Sequence, residues 1–185
     1  MYQILCDYNK EIYGRELTNL LKISQKNIAL TLKELESQNI LKSKQKGNLK
    51  LYNLNTQNAL IKDIIKIAEL SKKVEFITLY KVLKYLFIKN DKRIVGIFGS
   101  YARNKQKNDS DLDLFIIGNK VKEDYDKLGK EFDFPISIKY FTESQFQELC
   151  KEKNNLIKEI IINHILIHNI DLFIELIWRD YYGYN

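Results

Sequence analysis

The chain has 185 residues, 45% of them hydrophobic, which is enough for one or two small packed domains and excludes intrinsic disorder. Its two cysteines have no metal-ligand spacing, and no apolar run suits a membrane span or a signal peptide, so we expect a cytoplasmic protein without disulfides or a membrane partner. The net charge of +6 is uneven, because residues 1–60 hold nine Lys or Arg against five Asp or Glu, and a basic first third is compatible with nucleic acid.

The first third of the chain predicts three short helices followed by a β-hairpin. The first helix begins almost at the N-terminus, the second follows a break at Gly14, and Ser24 is a good N-cap for the third. Apolar residues recur at helical spacing along this third helix, at Ile28, Leu32 and Leu35. The turn signal Gly47-Asn48 then joins two extended segments, 42–46 and 49–54.

This order of elements resembles the winged helix-turn-helix domains of small prokaryotic transcription regulators, and residues 23–41 match their turn, recognition helix and exit into the wing. The resemblance implies that the start of the third helix enters the major groove of double-stranded DNA and that hairpin lysines contact phosphates. The residues that would face DNA are Gln25, Lys26, Asn27 and Thr31 on the helix, and Lys42, Lys44 and Lys46 on the hairpin. The alternative is a winged-helix module used for protein contact or dimerisation. We assign residues 1–55 to this domain.

Residues 56–92 predict linking helices with a break near residues 71–73. The first helix has a broad apolar face, formed by Leu60, Ile61, Ile64, Ile65, Ile67 and Ala68, and the second has another, formed by Leu79, Val82, Leu83, Leu86 and Phe87. A single exposed helix would not need such faces. They pack between the two domains or form the interface of a homodimer, because winged-helix regulators commonly dimerise to read two half-sites. The sequence leaves both uses open.

The most informative stretch joins a glycine-serine turn to a pair of aspartates. An apolar strand, 93–98, runs into Gly99-Ser100, and after a polar loop a second apolar strand opens with Asp111 and Asp113, which alternation places on one face. Glycine allows close backbone approach, and the N–H groups after it together with the serine hydroxyl suit phosphate oxygens. Two carboxylates suit Mg²⁺, which keeps positions open for a triphosphate. The pattern therefore predicts nucleotidyl transfer.

This pattern resembles the nucleotidyltransferase superfamily of the DNA polymerase β type, and most of all the minimal nucleotidyltransferases of prokaryotes, which read G-S-x-A-R-G, then a short spacer, then S-D-x-D-[LI]. Asn104 stands where the family has a glycine, and asparagine also tolerates positive φ. The resemblance implies an α+β protein: an N-terminal winged helix-turn-helix, then a nucleotidyltransferase-fold α/β domain with a small mixed sheet in residues 93–185. It implies two catalytic and metal-binding residues, Asp111 and Asp113, and three nucleotide-binding residues, Gly99, Ser100 and Arg103.

The implied activity is Mg²⁺-dependent transfer of a nucleoside monophosphate from a nucleoside triphosphate, with ATP as the first candidate, to a hydroxyl. Related minimal nucleotidyltransferases act as antitoxins that modify a partner toxin, so a tyrosine or serine of a partner protein is a candidate acceptor. The alternative function is a catalytically degenerate nucleotidyltransferase fold that acts as a DNA-binding transcription regulator or a nucleotide sensor.

The third strand of the predicted sheet decides between these functions. Active members of the family usually carry an acid in the middle of that strand, which completes a carboxylate triad. Here Ser137 occupies the position, and Lys139 adds charge of the opposite sign on the same face. Asp133 shares this face but lies at the strand entrance, roughly 13 Å from Ser137 at about 3.3 Å per residue. An acid at the metal site, either Asp133 or another residue, would favour the enzyme. If Ser137 lines the site instead, the regulator is favoured.

Overall fold

The chain forms two compact units, residues 1–65 and residues 66–185. The computed structural model describes residues 7–80, 83–84, 91–107, 109–121, 125–131 and 133–184. The predicted first helix falls largely on residues 1–6, which lie outside the described residues. Three of the five apolar residues predicted for the second linking helix, Val82, Leu86 and Phe87, also lie outside them. The predicted mixed α+β architecture is confirmed, whereas the division into three parts at residues 55 and 92 stays a prediction.

The first unit combines a three-stranded antiparallel sheet with two helices. Its elements are β1 (Ile12–Tyr13), α1 (Gly14–Leu21), α2 (Gln25–Ser37), β2 (Leu41–Lys46) and β3 (Leu49–Leu54). Strand β3 lies between β1 and β2, and the hairpin closes with Lys46 paired to Leu49. Gly47 in the turn has a φ of +58°, a value that glycine adopts without a steric penalty. The hairpin therefore forms at the predicted place.

The packing of the two helices follows from the predicted cap and apolar spacing. The Ser24 side chain accepts a hydrogen bond from the Asn27 backbone N–H at 3.3 Å, and this satisfies one unpaired donor at the start of α2. Ile28 and Leu32 are buried on the inner face of α2, and Leu17 is buried on α1. Leu35, the third residue of the predicted stripe, is half-buried.

Helix α3 (Ile61–Leu79) runs without interruption, so the break predicted near residues 71–73 is wrong. The polar residues there are accommodated on the helix, because the Ser71 hydroxyl donates to the Ile67 carbonyl at 2.9 Å, a bond within one helical turn. The apolar residues of α3 divide between a buried side, which includes Ile65 and Ala68, and an exposed side, which includes Ile67. Within the described ranges, no helix is long and apolar enough to cross a bilayer.

The second unit is built on a four-stranded mixed sheet. Its strands are β4 (Ile94–Ile97), β5 (Leu112–Ile117), β6 (Ile136–Phe141) and β7 (Ile165–His168), in the spatial order β6-β5-β4-β7. Strand β5 runs parallel to β6 and antiparallel to β4, and β4 runs antiparallel to β7. The helices of this unit after α3 are α4 (Gly99–Ala102), α5 (Tyr125–Glu131), α6 (Glu143–Lys151), α7 (Asn155–Ile162) and α8 (Ile170–Asp180).

Both faces of this sheet are covered by side chains, which explains why its central strands, β4 and β5, are apolar except at Asp113. On one face, Phe76 of α3 joins a buried cluster with residues of the strands, among them Val95 and Ile97. On the other face, the ring of Phe115 lies 5.5 Å from that of Phe173 on α8. Helix α3 also reaches the outer edge of β7, where Lys73 Nζ donates to the Ile167 carbonyl at 2.5 Å.

A buried pair of polar side chains joins α3 to the residue before β7. Glu69 and His164 are almost fully buried, and His164 Nε2 lies 3.3 Å from Glu69 Oε2. The other imidazole nitrogen, Nδ1, lies 2.9 Å from the carbonyl oxygen of Ile161, and Lys72 Nζ lies 2.7 Å from Glu69 Oε1. Burial alone would raise the pKa of Glu69, but His164 and Lys72 lower it to about 2. Glu69 is therefore an ionised carboxylate inside the protein.

A second carboxylate with a lowered pKa, that of Asp91, lies just before β4. Asp91 accepts hydrogen bonds from the Arg93 backbone N–H at 2.9 Å, from the Arg93 guanidinium at 2.6 Å and from the Tyr125 hydroxyl at 3.1 Å. These bonds outweigh the opposing effect of burial and lower the pKa of Asp91 to about 2.

Because the pKa of Asp91 is lower in the folded protein, its ionisation stabilises the fold above about pH 4, and this contribution disappears as the pH falls towards 2. We expect Asp91→Asn to lower the free energy of unfolding at pH 7 by about 1–2 kcal/mol, after allowance for partial solvent screening. The difference from the wild type should shrink as the pH approaches 2. Urea denaturation at a series of pH values measures it, and a difference that did not change with pH would contradict the assignment.

Candidate active site

The signature residues meet at one edge of the four-stranded sheet. Strand β4 ends at Ile97, and Gly99 and Ser100 open α4 immediately afterwards. Ile97 is paired with Leu114 of the neighbouring strand, and the Phe98 backbone N–H donates to the carbonyl of Asp113 at 2.9 Å. The end of β4 and the start of β5 therefore lie side by side, as the spacing of the two motifs predicts.

Gly99 touches the carboxylate of Asp113, and no other residue type fits at this position. Its φ of +70° lies in the left-handed region, which L-residues with a side chain rarely adopt. A Cβ atom added to Gly99 would also overlap Oδ2 of Asp113. The backbone that begins α4 and the carboxylate on β5 are thus in direct contact. The first N–H groups of a helix have no partner within the helix, so they are open to an anionic ligand.

The carboxylate of Asp113 lies among four other charged groups. Its pKa is raised, first by burial and then by the negative charges of Asp111 and Glu159, while Arg103 and Lys139 act in the opposite direction. Asp113 is half-buried as the second residue of β5, whereas Asp111 is exposed just before the strand. Two carboxylates that repel each other at one edge of the sheet form an arrangement that a cation would stabilise.

A divalent cation such as Mg²⁺ fits this pair. Mg²⁺ prefers hard oxygen ligands and is usually held in proteins by one or two carboxylates, with water and phosphate oxygens in the other positions. Asp111 and Asp113 supply carboxylate ligands of this kind. Among the described residues, no three acidic, histidine or cysteine side chains are grouped so that they could hold a metal ion together. The described residues therefore offer two carboxylates and leave the other positions to a substrate and water.

Arg103 lies one helical turn after Gly99 and forms an ion pair that sequence reasoning missed. It caps α4, where its backbone N–H donates to the Gly99 carbonyl at 3.2 Å. Its guanidinium donates to Oε1 of Glu159, which lies on α7. Both side chains are partly exposed, at 39% for the arginine and 37% for the glutamate, so a ligand could reach them. Nothing in the sequence near Glu159 marks it, because its partner lies 56 residues earlier in the chain.

Ser137, the second residue of β6, lies beside Asp113, so this position of the strand holds a serine and not an acid. The two residues are direct partners in the parallel register of β5 and β6. Asp133 lies in the turn before β6, exposed and with a φ of +49°. Because the strand begins at Ile136, this register does not place Asp133 beside Asp113.

The residues predicted to face DNA lie on two elements of the first unit. Gln25, Lys26 and Asn27 form the first turn of α2, Thr31 follows one turn later, and all four are exposed. Lys42, Lys44 and Lys46 alternate along β2 and are also exposed, with Lys44 paired to Glu11. Helix and hairpin are joined by Glu36 of α2, which accepts hydrogen bonds from Ser43 of β2 and from Lys50 of β3.

A comparison of the sequence with models of known protein families gave a match within the second unit. Residues 81–172 match the family model described as Polymerase beta, Nucleotidyltransferase. This part of the chain is therefore similar to the nucleotidyltransferases of that family. The matched range includes all four strands of the sheet and all five signature residues, Gly99, Ser100, Arg103, Asp111 and Asp113. No curated protein and no solved structure gave a match to the chain.

Proposed function

We propose that the second unit is a nucleotidyltransferase, which transfers a nucleoside monophosphate from a magnesium-bound nucleoside triphosphate, with ATP as the first candidate, to a hydroxyl group. The observation that carries the proposal is the contact between the Gly99 backbone and the Asp113 carboxylate at the edge of the sheet. A phosphate-binding turn beside a cation-binding carboxylate is what the reaction requires, because the triphosphate and its cation must be held together.

Each residue of the site has a role in this reaction. Asp111 and Asp113 would hold Mg²⁺, which when bound neutralises negative charge on the triphosphate. The backbone N–H groups that follow Gly99, with the Ser100 hydroxyl, bind phosphate oxygens, and Arg103 adds positive charge. The acceptor hydroxyl oxygen attacks the α-phosphorus in line, a new oxygen–phosphorus bond forms, and the bond to pyrophosphate breaks.

The experiment that tests the proposal follows the position of a phosphate label. The protein is incubated with Mg²⁺ and each of the four triphosphates, labelled at the α- or the γ-phosphate, alone and with candidate partner proteins. Label from the α-position should appear on an acceptor, and label from the γ-position should not. Transfer of the γ-label would indicate a kinase. Binding of the magnesium–triphosphate without transfer to any acceptor would favour the alternative function, a nucleotide sensor or a regulator.

We further propose that the first unit is a winged helix that binds double-stranded DNA. The support is the order β1-α1-α2-β2-β3, with the hairpin β2-β3 directly after the helix that carries Gln25, Lys26, Asn27 and Thr31. A protein that joins this unit to a nucleotidyltransferase could bind its own promoter and modify a partner, as an antitoxin does. A toxin as the acceptor and a homodimer formed through the linking helices both stay predictions.

The hairpin lysines provide a test of DNA binding. We expect Lys42→Gln/Lys46→Gln to weaken binding to a DNA duplex and to reduce the slope of log K against log salt by about 0.9 for each phosphate that the protein no longer neutralises. The matched control is Lys92→Gln/Lys151→Gln, which removes the same charge from exposed positions of the second unit. Fluorescence anisotropy at several salt concentrations measures both pairs. Equal reductions of affinity in the two variants would mean that net charge, and not the hairpin, determines binding.

A further inference from the structure

The chain path brings the end of α7 to the active-site edge of the sheet. Strand β7 follows α7 after two residues, and its first residue, Ile165, is paired with Ile97, the last residue of β4. Gly99 lies two residues beyond Ile97, so the start of β7 and the signature turn are at the same edge. Glu159 occupies the last turn of α7, and its backbone carbonyl accepts a hydrogen bond from the N–H of Asn163 at 2.9 Å.

Glu159 is connected to the site through a chain of contacts. Its carboxylate forms an ion pair with Arg103, whose backbone N–H is bonded to Gly99, and Gly99 in turn touches Asp113. Yet Glu159 is not grouped with Asp111 and Asp113 as a shared set of metal ligands among the described residues. The structure thus has an acid near the metal carboxylates but outside the predicted metal site.

We propose that Glu159 is the general base of the transfer, in the role that an acid on β6 would otherwise have, and that Arg103 holds it until the triphosphate binds. This inference rests on the proposed function. Ser137, the partner of Asp113 on β6, has a hydroxyl and cannot accept a proton as a carboxylate can. A triphosphate carries more negative charge than one carboxylate, so it competes with Glu159 for the guanidinium of Arg103. Release of Arg103 leaves the Glu159 carboxylate free.

The proton balance of the step is simple. The acceptor O–H bond breaks and its proton goes to Glu159, while the acceptor oxygen forms its bond to the α-phosphorus. The bond between the α-phosphorus and the bridging oxygen breaks, and its electron pair leaves with pyrophosphate. A positioned carboxylate in this role contributes about 10²–10⁴-fold to the rate.

The test compares Glu159→Gln with Glu159→Asp and Asp133→Asn in the full chain. Initial rates of transfer from α-labelled ATP give kcat and KM, and titration calorimetry with a non-hydrolysable α,β-methylene analogue of ATP and Mg²⁺ gives binding separately. For Glu159→Gln we expect kcat to fall by about 10²–10⁴-fold. Its affinity for the analogue should equal or exceed that of the wild type, because Arg103 no longer has a competing partner. Glu159→Asp should recover part of the rate, and Asp133→Asn should behave as the wild type.

The outcomes separate this inference from the proposed function. If Glu159→Gln transfers label at a rate close to that of the wild type, or if Asp133→Asn loses the rate instead, Glu159 is not the base and the proposed function stands. If Glu159→Gln binds the analogue more weakly than the wild type does, Glu159 and the triphosphate do not compete for Arg103, and that part of the inference is wrong. If the wild type binds the analogue but transfers no label to any acceptor, the proposed function fails and the general-base role fails with it.

Discussion

Replacing Asp113 by asparagine should reduce nucleotidyl transfer by at least about 10³-fold, which corresponds to about 4 kcal/mol of transition-state stabilisation. Asparagine has nearly the same shape, so the packing against Gly99 is preserved, but the negative charge that would hold a cation is removed. The pKa of Asp113 is raised by burial and by Asp111, so its charge does not stabilise the fold. We therefore expect the variant to unfold at the same temperature as the wild type or slightly above it.

Asp109 provides the matched control for this substitution. It is an exposed aspartate two residues before Asp111, so Asp109→Asn makes the same chemical change next to the site. Initial rates of transfer from α-labelled ATP, together with thermal unfolding, should show a loss of activity in the Asp113 variant alone. Full activity in Asp113→Asn would show that this carboxylate does not bind the cation that the reaction requires.

Replacing Glu69 by leucine should lower the free energy of unfolding by about 3–5 kcal/mol, the usual cost of removing one partner from a buried ion pair. The destabilisation arises because Lys72 and His164 both lie against this carboxylate and would be left without the group that compensates them. His164→Leu should also destabilise the protein. The double variant should be destabilised by less than the sum of the two single effects, because neither member of the buried Glu69–His164 pair is then left without the other.

Glu75 provides the control on the same helix. It is exposed on α3, and Glu75→Leu should change the free energy of unfolding by no more than about 0.5 kcal/mol. Urea denaturation at neutral pH compares the four variants with the wild type. Strictly additive effects in the double variant would mean that Glu69 and His164 stabilise the fold independently of each other.

The parts of the structure that the sequence predicts are those set by short-range rules. The Ser24 cap, the Gly47-Asn48 turn and the strands around Gly99 depend on residues a few positions apart. Such features can be derived from one sequence because the backbone geometry at each position restricts the residues that fit. Asp113 lies on β5, whereas Asp111 lies just before the strand, so the expectation from alternation that both share one face stays a prediction.

The parts that the sequence does not predict depend on long-range contacts. Arg103 and Glu159 are 56 residues apart, and the carboxylate that faces His164 comes from Glu69, on a helix far earlier in the chain. Either pairing can be derived only when the sheet order is known. The continuity of α3 was not predicted for another reason. Ser71 and the lysines after it suggest a break, but the tertiary packing of one face of a helix overrides such local preferences.

The position of α3 has a consequence for how short a working fragment of the protein can be. The family match begins at residue 81, whereas Phe76 of the sheet core, the Lys73 bond to β7 and the Glu69 partner of His164 all precede it. A polypeptide cut at the family boundary would expose one face of the sheet and leave a buried imidazole without its carboxylate. We therefore expect a fragment that folds on its own to include α3 from about Lys66 onward, as the compact unit 66–185 does.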